Sequence, residues 1–240
     1  MSKILPPDRP LRLGTRASPL AMAQARLAAQ ALRAAHGWSE NQIEIVPVTA
    51  SGDKVLDRPL AEIGGKALWT KELDHWLHDG TIDASVHSMK DVETIRPESL
   101  VITAMLPRAD VRDTLVGSGS IDAIPQGGTV GTSSPRRAAQ MRRLRPDVAI
   151  TLFRGNVATR LGKLAAGEAD ATLLATAGLA RLGQGDVGAP VPVEIMLPAP
   201  AQGAVGIETL AGNDAVRALI SAVDDAATSD CVRAERAVLA

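Results

Sequence analysis

The sequence has one cysteine, no tyrosine, and only 2% aromatic residues of any kind. A single Cys231 excludes an internal disulfide framework and weighs against a cysteine-based zinc site. Scarce rings weigh against single-strand nucleic-acid binding, which draws affinity from bases stacked on aromatic faces. No apolar stretch approaches the ~20 residues of a membrane-spanning helix. Met1 to Pro10 carries prolines where a signal peptide would have an apolar run. The expectation is a cytoplasmic protein with no membrane partner. Neither charge dominates: 26 Lys+Arg face 27 Asp+Glu, a formal net charge of −1, so no bulk polycation built for nucleic acid is indicated.

What is present is a globular composition, 45% hydrophobic and 22% charged over 240 residues. That is enough chain for one large domain or two of about 120 residues each. Of the basic residues six are Lys and 20 are Arg, and Arg is the side chain that grips carboxylates with two parallel hydrogen bonds. Strand-like and helix-like stretches alternate. Strands are expected at Leu11–Leu13, Ile43–Val48, Ala84–Val86, Leu100–Leu106, Thr129–Gly131, Ala149–Phe153, Ala171–Ala175 and Ala204–Glu208. Helices are expected from Ser18-Pro19 to about His36, over Trp69–His78, from Pro135, over Val157–Ala166, and twice after Asn213. Alternation of this kind predicts an α/β fold with a parallel or mixed sheet. No internal repeat is evident, and 183–200, rich in Gly and Pro, reads as a loop or crossover.

In such folds ligands bind beyond the carboxyl ends of strands, beside helix N-termini. Polar clusters fall there repeatedly: Thr15-Arg16-Ala17-Ser18, His87-Ser88-Met89-Lys90-Asp91, Gly131-Thr132-Ser133-Ser134-Pro135-Arg136-Arg137 and Phe153-Arg154-Gly155-Asn156. The recurrence describes a cleft for a ligand with several negative groups. In the third cluster Gly131 permits close backbone approach, the hydroxyls offer caps, and two arginines oppose the helix dipole unless an anion is present. On that motif alone a capped surface helix with solvated arginines explains the residues equally well. Asp91 suits a general acid or a stabiliser of a cationic intermediate, although Lys90 and Asp91 taken alone read as a surface pair. Arg154 and Arg160 flank Asn156 so that both can face one ligand. Asp53 and Gly64-Gly65-Lys66 read as a lid or as an ordinary exposed loop. Gly183-Gln184-Gly185-Asp186-Val187-Gly188 matches G-x-G-x-x-G but opens no helix, so no dinucleotide site is read there. His75 and His78 lie on one predicted helix without an evident carboxylate or Cys partner, and no metal is expected.

Taken in order, these motifs resemble the porphobilinogen deaminase (hydroxymethylbilane synthase) family: Thr15 to Ala21, Ile63-Gly64-Gly65-Lys66, Val86 to Asp91, Gly131 to Ser134, Arg154-Gly155-Asn156-Val157 and Ala201-Gln202-Gly203-Ala204, with Ala177-Gly178-Leu179, Arg181 and Ala234-Glu235-Arg236-Ala237 also fitting. The resemblance runs from about residue 11 to the end. It implies two periplasmic-binding-protein-like domains with mixed sheets around a cleft, 1–106 plus 203–222 and 107–202, and a third, cofactor-cysteine domain of which 223–240 is only the start. It implies a monomer that joins four porphobilinogen molecules, with loss of ammonia, onto a dipyrromethane cofactor. Hydrolysis then releases linear hydroxymethylbilane. Asp91 and Lys90 would carry catalysis. Arg16, Ser18, Ser88, Thr132, Ser133, Ser134, Arg136, Arg137, Arg154, Arg160, Arg181 and Gln202 would bind acetate and propionate groups. Asp53 and Lys66 would belong to a lid.

The sequence departs from the family at Glu62, where Lys is usual, at Glu93, where Pro is usual, and at Trp69 and Pro135. The Gly-rich stretch that bears the cofactor cysteine in the family does not follow Ala234–Ala237. Cys231 precedes that segment, reads as a buried or neutral helix cysteine, and is not assigned the anchoring role. As written, the sequence holds the cleft residues without their covalent anchor, which predicts an inactive chain. A different class is a non-catalytic two-domain binding protein for an anionic small molecule, but it leaves Asp91 beside Lys90 without a purpose.

Overall fold

The computed structural model describes residues 9–48 and 70–240. Asp53, Glu62, Lys66 and Trp69 fall outside the described residues. The described chain forms two compact units, one of residues 9–48, 70–109 and 204–240, the other of residues 110–203.

In the first unit β1 (Leu11–Arg16), β2 (Ile43–Val48) and β3 (Ala84–Ser88) run parallel, and β4 (Leu100–Met105) forms the edge. The chain returns as β10 (Val205–Leu210), which inserts antiparallel between β3 and β4, giving the order β2-β1-β3-β10-β4. Helix α1 (Pro19–His36) covers this sheet with a stripe of small residues, Ala21, Ala25, Ala28 and Ala29, completed by Leu32. Small side chains let the helix settle close on Leu11, Leu13, Val86 and Ile207. The Ser18 hydroxyl caps α1 by accepting from the Ala21 amide, Pro19 opens the first turn, and Gly37 ends the helix at φ 67°. Helix α2 (Lys71–His78) packs Leu73 and Leu77 against Val48, Ile82 and Leu100.

The second unit repeats the plan. Strands β6 (Thr129–Gly131), β7 (Ala149–Thr151) and β8 (Ala171–Ala175) are parallel, and β5 (Asp113–Val116) lies antiparallel between β8 and the two-residue β9 (Ala189–Pro190). The order β7-β6-β8-β5-β9 matches that of the first sheet strand for strand, with β5 in the place of β10. Helices α3 (Pro135–Leu144), α4 (Val157–Ala165) and α5 (Thr176–Arg181) join these strands. Met141, Met196, Leu115, Val130 and Leu173 form the core.

Strand β5 and helix α5 were not among the sequence expectations, and 183–200 contains β9. The mixed sheets and the α/β class are as expected. Helices α6 (Asp214–Ser221) and α7 (Ala226–Ala237) belong to the first unit, where Arg108 forms a two-armed ion pair with Glu235 of α7 (2.5 and 2.8 Å). Cys231 on α7 is exposed, not buried. No helix among the described residues is long and apolar enough to cross a membrane.

Two glycines of the second unit differ in a way that stability measurements can read. A Cβ on Gly131 would sit 2.4 Å from the buried Phe153 ring, whereas one on Gly162, inside α4, meets nothing within 4 Å. Gly131→Ala is expected to destabilise by about 1–3 kcal/mol through overpacking, and Gly162→Ala to stabilise by about 0.5–1 kcal/mol through helix propensity. Urea unfolding of both variants checks the opposite signs.

Candidate functional site

The first unit gathers Arg16, Ser18, Ser88 and Asp91 around one pocket at the carboxyl ends of β1 and β3. Arg16 is the last residue of β1, Ser18 caps α1, Ser88 ends β3, and Asp91 closes the 3-10 turn Met89–Asp91. The walls are completed by buried Gln24, Thr70 and His87. Lys90 stands in the same turn, half-buried, and does not line the pocket. Below Ser88, the buried His87 ring places Nε2 3.1 Å from Glu208 Oε2 on β10. Burial alone would raise the Glu208 carboxyl; the His87 hydrogen bond and Arg96 outweigh that effect and hold it at about 2.

In the second unit Thr132, Ser133 and Ser134 connect β6 to α3. Thr132 Oγ1 accepts from the Ser134 amide (3.1 Å), Ser134 Oγ caps α3 at the Arg137 amide, and Ser133 Oγ accepts from Arg160 Nη2 (3.3 Å). Arg160 also donates from Nε to the Gly155 carbonyl (3.0 Å), bringing the Arg154–Asn156 turn beside the Thr132–Ser134 loop. Arg154 is buried at 6% exposure. Arg181 donates to the Gly203 carbonyl (2.7 Å), and burial pushes its guanidinium below the usual value. The space expected to bring Gly131 near a ligand is filled by Phe153.

Sequence reading missed the group that organises this set. Asp113 opens β5 and has no solvent exposure. One carboxylate oxygen receives Arg137 (2.6 and 3.2 Å) and Gln202 Nε2 (2.9 Å), and the other receives Arg136 (2.7 Å). Arg137 further donates to the Leu173 carbonyl, Arg136 to the Leu197 carbonyl, and Gln202 to the Val111 carbonyl. Arg136, Arg137 and Gln202, expected to hold ligand carboxylates, thus share an internal carboxylate. The signal available in the sequence was Asp113 at the head of a short apolar run.

Whether the residues fit a dipyrromethane, a polycarboxylate, is tested by the helix ends. Among described helices of eight or more residues, α1, α3 and α4 alone combine a neutral cap (Ser18, Ser134, Asn156) with a first turn free of acids. The others carry Glu72 and Asp74, Asp214, or an Asp225 cap. The three bare positive ends adjoin Arg16, Arg136 and Arg137, and Arg154 and Arg160. Uncompensated dipoles beside guanidinium groups favour carboxylate ligands, so the donors of each unit, taken separately, fit carboxylate groups of such a ligand. The helix histidines are otherwise engaged: His75 lies 3.6 Å from the Asp79 carboxylate, and His78 pairs with Ser99 (3.2 Å).

Asp113 makes the fold pH-sensitive. Burial would raise its carboxyl, but Arg137 and Arg136 outweigh burial and bring it from 3.8 to about 2. A depressed carboxyl stabilises the fold above its unfolded value and loses that contribution as pH falls through the folded value. Urea unfolding is expected to lose on the order of 2 kcal/mol between about pH 4 and pH 2 through this group. Asp113→Asn should remove that share of the acid loss, leaving the share of Glu208, while lowering stability at pH 7. An unaltered acid limb would contradict the assignment.

Comparison with known proteins gives the context of this geometry. A family model described as "Porphobilinogen deaminase, dipyromethane cofactor binding domain" matches residues 11–218. The chain is 60% identical over 245 residues to a porphobilinogen deaminase of Sphingopyxis alaskensis and 50% identical over 244 residues to one of Paracoccus denitrificans, covering 100% of this chain and 78% of each relative. Among solved structures it resembles an ABC transporter periplasmic substrate-binding protein of Coxiella burnetii (TM-score 0.53, 14% identity, 94% of this chain and 96% of that one). It also resembles the VFT2 domain of Bordetella pertussis BvgS (TM-score 0.51, 15% identity, 96% and 92%). Those two show the fold alone, that of periplasmic binding proteins. With the family model spanning most of the sequence and relatives matching along all of it, the chain belongs to the porphobilinogen deaminase family.

Proposed function

We propose that this protein is a hydroxymethylbilane synthase, a transferase that joins four porphobilinogen molecules into linear hydroxymethylbilane, acting as a cytoplasmic monomer. The observation that carries the reading is that Asp91 lines one pocket with Arg16, Ser18 and Ser88. Each porphobilinogen brings an acetate and a propionate, matched by the guanidinium and the hydroxyls. The protonated amino group of its aminomethyl arm leaves as ammonia with the C–N bonding pair, and the methylene carbon stays behind on a cationic pyrrole. Asp91 supplies the negative charge beside that cation and is the catalytic carboxylate. Lys90, in the same turn, assists.

Thr132, Ser133, Ser134, Arg154, Arg160 and Arg181 hold the cofactor's carboxylates, and Arg136, Arg137 and Gln202 contribute through the orientation Asp113 imposes. The dipyrromethane, when bound, supplies the pyrrole end that is extended. Asp53 and Lys66 are proposed as lid residues, and 223–240 as the start of a third domain. The reducing compartment is supported by cysteine usage.

The test follows ammonia release from porphobilinogen together with porphobilinogen binding by calorimetry. In protein extended by the family's cofactor-cysteine segment, release of ammonia, with a loss of at least about 100-fold in Asp91→Asn and nearly unchanged binding, is expected. Arg16→Ala should instead weaken binding by about tenfold or more, the scale of a charge-assisted hydrogen bond. Binding without ammonia release would favour a non-catalytic binding protein for an anionic small molecule. Absence of binding would overturn the site.

A further inference from the structure

The pocket that holds Asp91 is backed by a partly buried ionic cluster centred on Arg96. Its side chain is 7% exposed and meets three carboxylates. Nε and Nη2 reach the two oxygens of Glu208 (2.8 and 3.1 Å), Nη1 reaches Glu93 Oε2 (2.6 Å), and Nη2 reaches Asp74 on α2. Nη1 also lies 3.5 Å from Thr70 Oγ1, which donates to Glu93 Oε2 (3.2 Å). Glu208 in turn holds His87. Two members of this cluster, Thr70 and His87, are walls of the Asp91 pocket.

The same loop is held from a second side. Arg236 of α7 donates to the carbonyls of Val92, Glu93 and Thr94, with a longer contact to Met89. The backbone on both flanks of Asp91 is therefore fixed, by carbonyl contacts to Arg236 and by the pair of Glu93 and Arg96, two and five residues after Asp91. The Arg96 and Glu208 side chains are out of water, and Asp74 and Glu93 are partly so; a buried pair of this kind is a poor way to gain stability, because desolvation offsets most of the attraction and apolar residues would pack as well. What such a cluster supplies is a defined geometry, since a guanidinium fork accepts few arrangements of its partners. An ionised Glu208 can only accept, so His87 Nε2 donates the hydrogen between them, which sets the orientation of the ring.

We propose that Arg96 is a positioning residue for Asp91, acting through Glu208 and His87 on one wall of the pocket and through Glu93 and Thr70 on the other. The proposal rests on Asp91 being the catalytic carboxylate. It touches neither substrate nor cofactor, so its signature is a loss in kcat with little change in KM, and recovery by a shorter cation.

The test uses the same extended protein with Arg96→Met, Arg96→Lys and Glu208→Gln. Ammonia release per folded molecule is expected to fall about tenfold or more in Arg96→Met with KM within about threefold, and to recover in part in Arg96→Lys. A lowered unfolding temperature with unchanged kcat in every variant that folds would overturn the proposal and leave a stabilising role. A second readout needs no turnover. In protein labelled at aspartate Cγ, the Asp91 carbon signal, assigned by its disappearance in Asp91→Asn, should move or split in Arg96→Met and Glu208→Gln. An Asp91 signal identical to wild type in both would overturn the proposal. If the extended wild-type protein releases no ammonia, the functional reading fails, and the carbon signal still decides whether Arg96 positions Asp91. If Arg96→Met does not fold, Arg96→Lys and Glu208→Gln carry both measurements.

Discussion

The second unit depends on one carboxylate with no access to water. Asp113 receives two guanidinium groups and an amide, and each of those donors is tied in turn to a backbone carbonyl. The start of α3, the middle of β8 and the Ala199–Gly203 turn are thereby referred to a single point. That turn includes Ala201, a buried alanine held at φ 63°, a conformation that costs a non-glycine residue on the order of 1 kcal/mol and persists only where its surroundings enforce it. Removing Asp113 would leave Arg137 charged and buried, which is the more damaging half of breaking such a pair.

The first unit uses the same device in its own sheet. Glu208, also without exposure, lies on β10, which occupies the position in its sheet that β5 occupies in the other. Each antiparallel insert contributes an acid whose carboxyl is held at about 2 by basic partners. The acids differ in register, Glu208 facing Ser85 and Asp113 facing Ala175. They share a strategy: a fixed internal anion orients basic side chains near the carboxyl ends of parallel strands, where the polar loops begin. Ligand-directed arginines need such anchoring, because a long flexible cation loses much of its binding energy in being ordered.

The outline of this architecture is legible in the sequence where local chemistry speaks for itself. Ser18-Pro19 marks the start of α1, the β-branched run marks β2, and the recurring Arg, Ser and Asn clusters mark strand ends, where the site is proposed. Strand β5 is not legible, because four residues opened by Asp113 and followed by Gly117 and Gly119 lack the alternation of a half-buried strand. The duplication of sheet order is likewise hidden, since it resides in which strands pair and not in residue identities. Arginine roles are divided: the sequence marks Arg136 and Arg137 as cations at a helix start, and only the fold shows that both lean on Asp113. Arg96 carried no signal, as its three carboxylates come from α2, the loop it stands in and β10.

The central claim is that buried acids orient the binding arginines. The most direct measurement is the affinity of Asp113→Asn for a free dipyrromethane tetracarboxylate, by calorimetry at pH 7, on protein shown to be folded. Charge counting alone says that removing a negative group tightens the binding of an anion. The account predicts the reverse, a weakening of about tenfold, or about 1.4 kcal/mol, because Arg136 and Arg137 lose their reference point. Unchanged or tighter binding would contradict it.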